Sequence, residues 1–219
     1  ILVIIIIILF IIAISNIKKN ENEKDEKNED KINPELVTAE IIGKFDIPSI
    51  SDEINILGEE YIIQPNMDIL VNDKKIKLGK TYKFQSMGNY KIQFIFYNKT
   101  INLDNMFKNI NSIISVEMIS NKNASIISLI STFENCNNLY SFSLTGFNTE
   151  EIISTKKLFY NTRLSYLNLS ELNLQNIEDM SYMFASNNLK NLDLSKFNTS
   201  SVKDMSYLFY NISSILELD

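Results

Sequence analysis

Histidine and tryptophan are absent from the 219 residues, and Cys136 is the only cysteine. Without histidine the chain lacks the commonest general base, the usual zinc ligand and any Ser-His or Cys-His pair. A single thiol closes no internal disulfide, so cysteine usage leaves the redox compartment undefined. Glycine and proline are scarce, at 5 and 3 residues. All three prolines (Pro34, Pro48, Pro65) and four of the five glycines precede residue 100, which marks a change of architecture near there. Net charge is −6, and from Ile101 onward 8 basic residues face 12 acidic ones. A nucleic-acid binder is expected to carry a basic stripe, and none is present. Nor is there a phosphate-cradling glycine loop or a carboxylate pair with a shared pocket. The expectation is a non-catalytic chain with no cofactor and no metal.

What is present begins with an unbroken apolar run, Ile1 to Ile14, followed by Ser15, Asn16, Lys18 and Lys19. Fourteen helical residues reach about 21 Å, short of a hydrocarbon core of roughly 30 Å. That length suits a signal-peptide core, and Ala13 with Ser15 supplies the small-x-small pattern of a cleavage site. A membrane anchor and a buried core helix are the alternatives; either membrane reading makes this an N-terminal apolar helix and places the chain at a membrane. Residues 1–15 are therefore read as signal peptide or anchor, and 16–34, rich in Asn, Lys, Glu and Asp, as a disordered charged linker.

Residues 35–103 read as a small all-β domain. Val37 to Ile47 alternates loosely, Met67 to Leu78 reads as two strands about Asn72-Asp73, and Thr81 to Phe84 precedes a turn at Gly88-Asn89. In the following strand Tyr90, Ile92, Phe94 and Phe96 share one face. The phrase GNYKIQFIF resembles the closing strand of immunoglobulin-like sandwiches; a β-rich cap over the end of the repeats is the plainer reading.

Residues 104–219 repeat with a period of 25 to 26. Leu164, Leu167, Leu169, Ile177, Met180, Met183 and Phe184 recur as Leu189, Leu192, Leu194, Val202, Met205, Leu208 and Phe209. Two earlier copies end on Phe133 and Phe159, and Phe107 opens the series. Each copy starts with the period-2 pattern of a short strand and ends with apolar residues at i, i+3 and i+4, the spacing of a helical face. Asp179 and Asp204 precede that segment and suit a helix N-cap. The resulting expectation is an α/β leucine-rich-repeat-like solenoid, one short strand and one short helix per copy, with the five phenylalanines as an interior spine. A first residue other than Met and a last residue inside a repeat lead to the expectation of a fragment, truncated at the C-terminus.

The stretch LKNLDLSKFNTSSVKDMSYLFYN, Leu189 to Asn211, resembles the BspA-like leucine-rich-repeat surface proteins, whose repeat also occurs in mycoplasma-type lipoproteins. The resemblance spans roughly Asn105 to Asp219, and departs from the pattern where Thr132 and Thr155 replace apolar residues. It implies an extracellular protein with a role in adhesion or in binding host and matrix.

Outward side chains of the repeat strands are the candidate binding face: Ser115, Glu117, Ser141, Ser143, Thr145, Tyr166, Asn168, Ser170, Asn191, Asp193 and Ser195. A polar surface of this kind suits weak, multivalent binding to an extracellular protein or glycan. A merely solvated face is the bland alternative. Asn109, Asn135, Asn161 and Asn211 follow the spine phenylalanines by two positions, and Asn148, Asn173 and Asn198 recur after the strands. Both series are expected to satisfy turn backbone. Of five sequons, at Asn98, Asn123, Asn168, Asn198 and Asn211, the first two are the candidates for glycosylation, because the ladder positions Asn198 and Asn211 are expected to be buried. Cys136 reads as a small buried residue. Function is thus expected to be recognition or adhesion at the cell surface or after secretion. The alternatives are the sensor ectodomain of a larger receptor or enzyme, and a self-assembling coat protein.

Overall fold

The computed structural model describes residues 32–50, 53–195, 197–212 and 217–218. The expected signal or anchor and almost all of the linker lie outside them. Two units are separated, Ile1–Leu36 and Val37–Asp219. In the first, Asn33 closes a turn by accepting the Leu36 N–H on its carbonyl (3.1 Å) and the Glu35 N–H on Oδ1 (3.1 Å).

The second unit opens with β1 (Ala39–Ile47), whose alternation buries Ala39, Ile41, Phe45 and Ile47 and turns Lys44 and Asp46 outward. Short strands β2 (Ile54–Asn55) and β5 (Thr81–Tyr82) pair with each other. β3 (Met67–Val71) and β4 (Lys74–Ile76) form a hairpin about Asn72 and Asp73. These two residues have φ of 48° and 66°, the left-handed values a two-residue hairpin turn demands and Asn and Asp tolerate. β6 (Gly88–Phe96) buries Ile92, Phe94 and Phe96. Gly88 and Asn89, expected in a turn, instead open this strand and pair with Ile47 and Asp46. β7 (Thr100–Asn102) runs parallel to β9 (Ser125–Ser128).

Each repeat then contributes a strand: β8 (Ile113–Ile119), β10 (Ser141–Thr145), β11 (Tyr166–Leu167), β12 (Asn191–Leu192) and β13 (Glu217–Leu218). The first two join the earlier strands in one sheet of order β10-β8-β1-β6-β3-β4, antiparallel except for β8 with β10. The last three make a separate parallel sheet.

This overturns the expected α/β solenoid. Among the described residues the secondary structure is all β, with no helix, and the repeat strands divide between two sheets instead of forming one. The reason lies in the segments expected to be helical. In a helix each N–H reaches the carbonyl four residues back in the same segment. Here the donors alternate. The N–H groups of Thr132, Glu134 and Cys136 bond to Leu129, Ser131 and Phe133 in their own copy, while Ser131, Phe133 and Asn135 donate to Lys156, Leu158 and Tyr160 of the next. The same alternation recurs one copy earlier and one and two copies later. It needs a left-handed residue on either side of each phenylalanine: φ is 55° to 63° at Asn105 and Asn109, Ser131 and Asn135, Lys157 and Asn161, Tyr182 and Ser186, and Tyr207 and Asn211. Asp179 and Asp204 accordingly cap turns, accepting the N–H groups of Ser181 and Ser206 at 2.8 Å each.

Stacked in this way, the copies bury their phenylalanines in series. Ring centroids of Phe107, Phe133, Phe159, Phe184 and Phe209 follow one another at 5.6, 5.7, 6.4 and 5.8 Å, within 12° of parallel. The first four are fully buried. Phe94 of β6 meets Phe107 edge-on at 5.3 Å, so the series starts against the core of the preceding strands. The Thr residues that depart from the repeat pattern are accommodated by hydrogen bonds across copies: buried Thr132 donates to the Leu103 carbonyl (3.0 Å) and buried Thr155 to Met183 Sδ (3.2 Å).

Candidate binding face

Parallel pairing of β8 with β10 puts Ser115 beside Ser141, Glu117 beside Ser143 and Ile119 beside Thr145. Period two carries all of these to the face of the six-stranded sheet opposite its core. On the other side β8 pairs with β1, which extends the face through Lys44 next to Ser115, Ile42 next to Glu117 and Glu40 next to Ile119. From there the rows continue to Lys91, Gln93 and Ile95 on β6, and to Asp68 and Leu70 on β3, where Ile95 and Leu70 are buried and the other three half-buried. Glu117, Ser141, Ser143 and Thr145 are exposed and Ser115 is half-buried. Five of the eleven predicted residues are thus brought onto one surface. Sequence periodicity in the repeats could not supply the Lys, Glu and Gln partners, because β1, β3 and β6 lie outside the repeat.

Hydrogen bonds fix the outer part of this face. Gln93 donates its Nε2–H to Glu40 Oε1 at 2.7 Å, and its own Oε1 is buried without a partner. Lys75 meets Asp68 at 3.1 Å, and the Tyr97 hydroxyl donates to the same carboxylate at 2.8 Å. Desolvation, and then the bond to anionic Asp68, push the Tyr97 phenol well above its ordinary range.

The remaining predicted residues are placed differently. Tyr166 lies on β11 with 68% of its surface exposed, in register with the backbone of Asn191. Asn168 and Asp193 fall just after the strands and bend the chain, accepting the N–H groups of Ser170 (2.9 Å) and Ser195 (2.8 Å) on their side chains. These residues build turns, and only Tyr166 and Asn191 belong to a sheet.

The asparagine series separate into two roles. Asn148, Asn173 and Asn198 accept the backbone N–H two residues on, from Glu150, Gln175 and Ser200. Asn109, Asn135 and Asn161 bond instead to one another, Nδ2 to Oδ1, at 2.9 Å per step. Asn198 and Asn211 are exposed, which corrects the expectation that they are buried. Asn123 is exposed as well, whereas the half-buried Asn98 spends its Nδ2–H on the Pro65 carbonyl at 2.8 Å. Cys136 is fully buried, donates to the Phe107 carbonyl at 2.9 Å, and has its thiol pKa pushed up by burial.

Two features were not anticipated from the sequence. A line of side chains follows the turn edge, from Lys108 bridging Glu60 (2.7 Å) and Glu134 (3.8 Å), through Lys157 on Glu134 (2.9 Å), to Tyr160, Tyr182 and Tyr207. Its only advance signal was the repeat register itself. The other is Arg163, the sole arginine of the chain, exposed between two grooves. Among the described residues no cluster of three or more Cys, Asp or Glu could hold a metal ion, and no helix is long and apolar enough to cross a membrane.

Comparison with protein families gives a match to the family described as Mycoplasma protein of unknown function, DUF285, over residues 79–163 and again over 127–217. Together the two matches take in more than half of the chain. The chain belongs to this family. The DUF285 matches cover every repeat strand from β8 to β12 and begin within the preceding strands, at Gly79, so the family pattern includes β5, β6 and β7. No curated protein and no solved structure matches the chain.

Proposed function

We propose that this DUF285 protein is a non-catalytic recognition protein of the cell surface, or a secreted one, that holds an extracellular protein or glycan against the outward face of β1, β8 and β10. The observation that carries the reading is the in-register alignment of half-buried Ser115 with Ser141 and of Glu117 with Ser143, with exposed Lys44 next to Ser115 on β1. Hydroxyls and charges of both signs on a rigid sheet offer many individually weak polar contacts that add when a ligand spans several. Resemblance of Leu189 to Asn211 to BspA-like surface proteins supports the location and the adhesive role, and the apolar run at residues 1–14 supports passage to or through a membrane.

The test is a binding screen of the purified chain against arrays of extracellular proteins and of glycans, repeated with Glu117→Lys and Ser143→Arg, both at exposed positions. At least one ligand should be retained by the native chain and lost about tenfold or more by both variants, which remain folded by circular dichroism. Ligands that bind all three proteins equally would remove the strand face from the mechanism. Protease treatment of intact cells checks the location: a chain that survives it while surface proteins are digested is not displayed outside.

A further inference from the structure

Arg163 differs from everything at its position in the repeat. It precedes the first leucine of its copy, where the other copies carry Ser112, Asn138 and Asn188. Its backbone is committed, with the N–H donating to the Leu139 carbonyl at 3.0 Å. Its side chain is exposed, and among the described residues it has no ion pair and no hydrogen bond. A guanidinium offers five donors in a planar fork suited to two oxygens of a carboxylate.

The surroundings narrow what it could take. On one side lies a groove of about 440 Å³ whose lining includes Asn137, Asn161, Ser186, Asn188 and Asn211, with neither an acidic nor an apolar side chain. Asn161 spends its Nδ2–H on Asn135, leaving its Oδ1 as an acceptor, whereas Asn137 and Asn188 are exposed, and among the described residues neither of their side-chain amides has a partner. Such amides match a hydroxyl, which also both donates and accepts. On the other side Arg163 lines a second groove, of about 600 Å³, with Tyr140, a residue 53% exposed. That second groove contains Asp46 and so repels an anion; the first does not. We propose that Arg163 and the asparagine-lined groove form a binding site for an acidic saccharide, its carboxylate on the guanidinium and its hydroxyls on Asn137, Asn188 and Asn161, with Tyr140 offering a ring to a neighbouring sugar. A peptide carboxylate is the weaker match, since the groove has no apolar wall for side chains.

The site shares no residue with the strand face, so its failure would leave the proposed function standing, and the reverse. Calorimetric titration of the whole chain with a galacturonic acid trimer tests it, with a neutral galactose trimer, a short acidic peptide and sodium sulfate as parallel arms. The native chain should bind the acidic trimer at least tenfold more tightly than any of the other three. Arg163→Asn, which installs the residue of two neighbouring copies, should lose that binding about tenfold while keeping its unfolding midpoint; Arg163→Lys should lose most of it, because an ammonium cannot bind in two-point fashion. Absence of binding, equal binding of the neutral trimer, the peptide or sulfate, or undiminished binding by Arg163→Asn would each overturn the assignment.

Discussion

Asparagine is used here for two properties at once. At Asn109, Asn135 and Asn161 it accepts a left-handed backbone, and its amide links each copy to the next. The two contributions can be separated at Asn135. Replacement by Gly keeps the backbone conformation and removes two side-chain bonds, which should cost about 1–2 kcal/mol in urea unfolding. Replacement by Ala removes the same bonds and adds a left-handed penalty of roughly 1 kcal/mol or more. Asn135→Ala should therefore unfold at a lower urea concentration than Asn135→Gly; equal midpoints would mean that the ladder alone matters. The recurrence of Asn was legible in the sequence, as was its use in turns at Asn148, Asn173 and Asn198. Its bonding to its own kind was not, since it depends on the lateral distance between copies.

At the level of elements, apolar residues at i, i+3 and i+4 fit two structures equally well. A helix satisfies this spacing, and so do successive turns that spend every second N–H on a neighbouring copy. Nothing within one copy of 25 residues distinguishes them, because the deciding acceptors, such as Leu158 for Phe133, belong to the next. The strands were read more accurately. Asn72-Asp73 marked a hairpin, and alternation located β1 and β6, because strand periodicity is local. Two predictions belong here. Phe133→Ala should destabilise by about 3–5 kcal/mol, as expected for a fully buried ring, whereas Phe209→Ala, at a half-buried position, should cost clearly less in the same denaturation series. Gly146 has φ of 75°, and an added methyl would lie 2.1 Å from the Ser120 carbonyl oxygen. Gly146→Ala should therefore lower the melting temperature sharply, while Gly79→Ala, with its nearest atom at 3.9 Å, should not.

The whole unit from Val37 onward has one hydrophobic core that runs from β1 and β6 through the phenylalanine series. Its response to alkali follows from groups buried in that core. Tyr61 is 2% exposed, and desolvation raises its pKa from 10.0 to about 12, partly offset by the hydrogen bond from Gln64. A phenol raised in the folded state favours the protonated, folded form. Its contribution is complete below about pH 10 and is lost as the pH rises through about 12. The buried Cys136 thiol is shifted in the same direction from its ordinary 9.0, so the loss should begin near there. Urea unfolding at pH 8, 10 and 11 should show stability declining in the native chain and declining less steeply in Tyr61→Phe. Equal slopes would show that Tyr61 is solvated.

By itself the order of residues determined the 25- to 26-residue period, the membership of Phe107, Phe133, Phe159, Phe184 and Phe209 in one stacked series, and the polar character of Ser115, Glu117, Ser141, Ser143 and Thr145 on the repeat strands. These depend on spacing and on solvation preference, which each residue carries with it. Only the tertiary structure decided that the turns are not helices, that β8 and β10 continue the sheet of β1 and β6, and that the Arg163 side chain, without an ion pair among the described residues, stands beside a groove of amides. Those outcomes rest on hydrogen-bond partners and neighbours that are distant along the chain, and a backbone N–H takes its acceptor from whatever the fold brings within reach.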